Sequence, residues 1–161
     1  SLSNNYTVTF VGTDLHIIFG FDKNHDKDIN KTVNEINSFK ESPQFKVGMF
    51  KKMIWNGRTF KDQVLNFLKK SDEFIEIEGD VGEAGDYMMY TRSYFWVQEC
   101  DLGNEEWTDA LDHYLDDEFI TCIKLCIKYF EEIEEFEKCA FLKKIQNYSE
   151  KQDFLNKLKE A

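Results

Sequence analysis

Histidine is scarce, proline nearly absent and basic residues missing from the middle of the chain, and each shortage narrows the functions available. With only His16, His25 and His113, and no Gly-x-Ser-x-Gly or Walker-type loop, no nucleophile with an oriented base stands out. Pro43 is the single proline and no Ser-rich stretch or internal repeat occurs, so no linker is expected and residues 1–161 read as one domain. No apolar run reaches the ~18 residues of a membrane span, and the opening "SLSNNYTVTF" lacks the basic and apolar regions of a secretory signal. Cys100, Cys122, Cys126 and Cys139 lack the tight spacing of a disulfide framework, so a reducing cytoplasm is the expected compartment.

What is abundant is acid. Between Ser71 and Cys122 sixteen acids stand against one base, Arg92, a net of −15, whereas residues 1–70 carry eleven bases and seven acids. The remaining residues balance, so the middle third holds the whole excess behind the net charge of −11. Duplex binding depends on neutralising phosphates with Lys and Arg, and a chain of this charge is not expected to bind nucleic acid directly. Aromatic residues are the other surplus: fifteen Phe, seven Tyr and three Trp must fill a core or face a partner.

The periodicities predict an α+β fold. "YTVTFVGTDLHIIFGF" alternates as a β-hairpin with its turn at Gly12 to Asp14, and Ile29, Val33, Ile36 and Phe39 then recur at helical spacing up to a stop before Pro43. "FKVGMFKKMIWNGRTF" reads as extended, with Asn56-Gly57 as a hairpin turn, and Thr59 caps a second helix through Phe60, Val64, Phe67 and Leu68. "EFIEIEG" alternates as a strand, "GDVGEAGD" is a loop, and "YMMYTRSYFWVQE" resumes as a long strand. Beyond Gly103 the pattern is helical: Glu105 to Leu115, a core helix from Asp117, and a last short helix opened by a capping box of Ser149 and Gln152. The expected architecture is a mostly antiparallel sheet with two helices in the N-terminal half and a C-terminal helical layer.

Three local patterns invite a chemical reading. Asp22, Asn24, Asp26 and Asp28 alternate like the start of a calcium loop. From Asp22, however, position 6 is Lys27 and position 12 is Val33, where the loop needs Gly and a bidentate Glu. Cys122 and Cys126 lie one helical turn apart with His113 as a conceivable third metal ligand, but both fall on an apolar stripe where Cys acts as a small hydrophobe. Paired carboxylates keep a small acid-base enzyme among the alternatives, beside a calcium-binding module, although abundance is not geometry. No cofactor or metal is expected.

The preferred reading is a binding surface. Glu105, Asp109, Asp112 and Asp116, spaced by four, three and four, share one helical stripe with no base interleaved, opposite Trp107, Leu111 and Tyr114. Glu76, Glu78, Asp80, Glu83 and Asp86 extend the acidic surface, and one face of the expected 87–97 strand adds Tyr90, Tyr94 and Trp96 as aromatic anchors. Such a surface fits a basic protein, and basic surfaces are typical of enzymes that act on nucleic acid. In size, acidity and lack of catalytic motifs the chain resembles the immunity proteins of bacterial toxin systems, including contact-dependent growth inhibition. The resemblance implies stoichiometric inhibition of a cognate nuclease toxin, without chemistry of the chain's own.

Overall fold

The computed structural model describes residues 6–11, 14–19, 26–68 and 78–161. Strands β1 (Tyr6–Val11) and β2 (Asp14–Phe19) pair antiparallel, Tyr6 opposite Phe19 and Val11 opposite Asp14, and β2 runs against the first helix. Everything else of regular structure among the described residues is helical: α1 (Asp26–Lys40), α2 (Pro43–Leu68), α3 (Glu78–Val97), α4 (Glu105–Tyr114), α5 (Asp117–Glu132) and α6 (Phe136–Glu160). The expected α+β fold with a mostly antiparallel sheet is therefore wrong. Apart from the hairpin, the segments 45–60 and 87–97 read as strands are turns of α2 and α3, and most of the strand expected at "EFIEIEG" lies outside the described residues.

The break before α2 follows from local chemistry. Ser42 accepts a hydrogen bond from the Phe45 amide at 3.3 Å, and Pro43 occupies the first helical position, where its missing N–H costs nothing. From there Val47, Phe50 and Ile54 follow at steps of three and four and are buried, which is a helical core stripe and not the alternation of a strand. Gly48 and Gly57 do not interrupt it. A Cβ on Gly48 would sit 2.5 Å from the Tyr114 hydroxyl of α4, and one on Gly57 would sit 2.5 Å from the Met89 sulfur of α3. Both glycines mark close helix approaches, so the expected Asn56-Gly57 hairpin and the helix start at Thr59 are interior turns of α2.

Helix α3 packs along α2 in the most extensive helix contact. Its buried positions, Tyr90, Ser93 and Val97, again step by three and four. Ser93 is tolerated there because its hydroxyl donates to the Met89 carbonyl at 2.6 Å, which leaves no orphan donor in the seam. On α5, Phe119, Cys122, Ile123, Cys126 and Phe130 point into the core and meet α2, α3 and α6. Asp116 caps this helix by accepting from the Phe119 amide at 2.7 Å. At its other end Glu134 takes a left-handed φ of 60°, while Glu134 N–H donates to Glu131 and Glu135 N–H to Phe130, closing a Schellman turn that reverses the chain into α6.

The capping box expected at Ser149 and Gln152 does not exist, because α6 runs unbroken through both. Ser149 is instead 1% exposed in mid-helix, and its hydroxyl has no hydrogen-bond partner among the described residues. A buried hydroxyl without a partner costs about 1 to 3 kcal/mol, and alanine is the better helix former. Ser149→Ala is expected to raise stability by about 1 kcal/mol, read as a higher urea midpoint at unchanged slope. A lower midpoint would mean that the hydroxyl has a partner.

Candidate functional site

The acidic positions separate into those that hold the fold together and those that do not. Glu76 lies outside the described residues, and Glu78 and Asp80 form the start of α3 where a strand and a loop were expected. Glu83 is exposed one turn further on, while Asp86 accepts a hydrogen bond from Lys61 of α2 at 2.7 Å. Two further α2 lysines behave alike. Lys46 pairs with Glu99 at 3.1 Å, and Lys51 pairs with Asp116 at 2.6 Å and Glu118 at 3.7 Å. Part of the charge asymmetry is thus internal, since bases of the first seventy residues neutralise acids of the middle third across the α2 seams.

The four-carboxylate stripe is cut to three. Helix α4 begins after Asn104, whose side chain accepts from the Glu106 amide at 2.9 Å, and ends at Tyr114 because Leu115 turns to extended backbone. Asp116 therefore leaves the stripe to cap α5. Glu105, Asp109 and Asp112 remain exposed on the face opposite the buried Trp107, Ala110 and Leu111, with Glu106 at its edge. Asp112 accepts a hydrogen bond from Tyr148 of α6 at 3.0 Å, and burial, with this bond second, pushes the Tyr148 hydroxyl up to about 12. Glu105, Glu106 and Asp109 form no ion pair among the described residues.

The double role of Asp116 is separable by mutation. Asp116→Ala removes both cap and ion pair and is expected to cost about 1 to 2 kcal/mol, whereas Asp116→Asn keeps a good capping oxygen. The Asn variant should lose less than about 1 kcal/mol, the value of an ion pair on a half-exposed carboxylate. Equal losses in denaturant titrations would assign the effect to charge.

The expected aromatic anchors point the wrong way. Because residues 87–97 are helix, Tyr90 stacks on Tyr129 of α5 at 4.7 Å, and Tyr94 packs edge-on against Phe130 and Phe141. Trp96 packs against Phe45 and donates its indole N–H to the Met53 sulfur at 3.1 Å. These three serve the core and the helix seams. Exposed apolar side chains lie elsewhere, among them those on the last turns of α6: Phe154 is 61% exposed and Leu158 56%, with Leu155 between them. Lys157, on the same turn, reaches Asp117 at 3.8 Å and so places this end of α6 against the first turn of α5, directly after α4. The signal was present in the sequence: Phe154 and Leu158 are one turn apart and fall off the stripe of Leu142, Ile145 and Ser149 that seats α6.

No metal or calcium centre takes shape among the described residues. Asp22 and Asn24 lie outside the described residues, and Asp26 and Asp28 form the first turn of α1. Cys122 and Cys126 are fully buried in the core, where burial pushes the Cys122 thiol up to about 11 and the Cys126 thiol higher still. His113 sits exposed on α4, edge-on to Tyr114, and no group of three metal-ligating side chains converges among the described residues. No helix among them is long and apolar enough to cross a membrane. A scan of protein-family profiles and searches of curated proteins and of solved structures return no match to this chain.

Proposed function

We propose that this chain is a stoichiometric binding protein that uses the exposed face of α4 to engage a basic protein surface, with the end of α6 as its apolar anchor. The observation that carries this reading is the contrast in charge pairing. Lysines of α2 neutralise Asp86, Glu99, Asp116 and Glu118, yet Glu105, Glu106 and Asp109 form no ion pair among the described residues, and Phe154 and Leu158 of α6 are exposed. Unpaired like charges one turn apart cost a helix about 0.2 to 0.5 kcal/mol per pair, a small cost that an external cation would offset. Exposed aromatic and aliphatic side chains would supply the desolvated centre that charge alone does not.

The partner that fits is a basic protein whose own ligand is polyanionic. A nuclease toxin meets that description: the acidic face would occupy the path of the phosphates and block substrate without any reaction of its own, as an immunity protein in the cytoplasm does. Basic partners captured from the source organism at low salt, then reconstituted with the purified chain, test this. A one-to-one complex that suppresses nuclease activity and weakens as salt rises supports the reading. A captured nuclease left fully active in the complex refutes it.

A further inference from the structure

Where α2, α3 and α5 meet, on lining unrelated to α4, a cleft of about 260 Å³ opens to solvent. Its floor is Tyr90, which is 8% exposed and whose hydroxyl has no hydrogen-bond partner among the described residues. Beside it lies the Lys61–Asp86 pair, closed at 2.7 Å. The rim carries two bases and two acids, Arg58 with Asp62 from α2 and Lys128 with Glu132 from α5. Each base stands one helical turn before the acid of its own helix, the weaker order for such a pair, and none of the four forms an ion pair among the described residues. Arg58 and Asp86 both act electrostatically on Tyr90, with opposite signs, so both charges lie near its hydroxyl.

A simple anion in this cleft would satisfy Arg58, Lys128 and the Tyr90 donor but would meet the repulsion of Asp62 and Glu132. A simple cation has the converse difficulty. A ligand with a carboxylate next to a protonated amine satisfies both sets at once, and the burial of Tyr90 keeps its hydroxyl a donor at neutral pH. The cleft is smaller than the ~300 to 1,000 Å³ of drug-sized pockets, which restricts it to a molecule of few heavy atoms. We infer that this cleft binds a small zwitterion of the α-amino acid class, its carboxylate on Arg58, Lys128 and the Tyr90 hydroxyl and its ammonium toward Asp62 and Glu132.

The test is a two-dimensional amide NMR titration of the full chain with each of the common L-amino acids in turn at millimolar concentration, with acetate and methylammonium as single-charge arms. At least one amino acid is expected to give saturable shifts confined to the facing turns of α2, α3 and α5, with both single-charge probes binding at least about tenfold more weakly. Tyr90→Phe keeps the ring stack and removes only the donor, and Arg58→Gln alters an exposed rim residue. Each should weaken the amino acid by about tenfold. If Tyr90→Phe fails to fold, Arg58→Gln and Asp62→Asn decide alone. Absence of saturable shifts with every amino acid, equal binding of acetate or methylammonium, or variants that bind like the parent would each overturn the assignment.

Discussion

Replacing Glu105 and Asp109 with lysine is expected to weaken capture of the basic partner by about a hundredfold, or about 2.7 kcal/mol, while leaving the unfolding midpoint nearly unchanged. Both carboxylates are exposed and form no ion pair among the described residues, so the substitutions break none of the described side-chain contacts. Placing like charges across an interface costs several kcal/mol when the groups are desolvated, and two reversals suffice for a loss of this size. Asp112 is a poorer probe because its bond from Tyr148 mixes stability into the result. The measurement is titration calorimetry of parent and variant with the reconstituted partner at two salt concentrations. The loss should shrink at high salt; an affinity indifferent to both substitutions would remove the basis for assigning α4 to the interface.

Phe130→Ala should be the most damaging single truncation in the fold, at about 3 to 5 kcal/mol. Phe130 is fully buried near the end of α5, edge-on to Tyr94 and Tyr129 at 5.5 Å each, with the Lys138 ammonium 5.2 Å from its ring. Three elements meet on this ring: α3 through Tyr94, α5 itself, and α6 through Lys138. The rigid neighbours cannot collapse into the space, so the cavity term adds to the lost transfer energy. Urea unfolding at unchanged slope measures it, and a loss below about 1 kcal/mol would show that the α3–α5–α6 junction repacks freely.

Where the helical stripe was clean, the sequence was read correctly. The apolar residues of α1, α4 and α5 recur at steps of three and four, with polar residues between and capping residues at the boundaries, and those helices lie where that spacing puts them. Helices α2 and α3 hid their period for two different reasons. In α2 the glycines that suggest turns in isolation are set by helix neighbours, Tyr114 and Met89, which no local pattern reveals. In α3 nearly every position from Tyr87 to Val97 is apolar or small, so alternation and helical spacing fit equally well, and only the tertiary seam selects Tyr90, Ser93 and Val97 for burial. That one misread period turned Tyr90, Tyr94 and Trp96 outward. The acids of α4 were legible because the helix carrying them was.

The four cysteines give the molecule a built-in clock for its own opening. All are free and buried, on or against α3, α5 and α6, and burial holds each thiol in its protonated, unreactive form. An alkylating reagent therefore has to wait for the helices to part before it finds a thiolate. The rate at which Cys126 is trapped reports how often the centre of the fold breathes, with no label added to the chain.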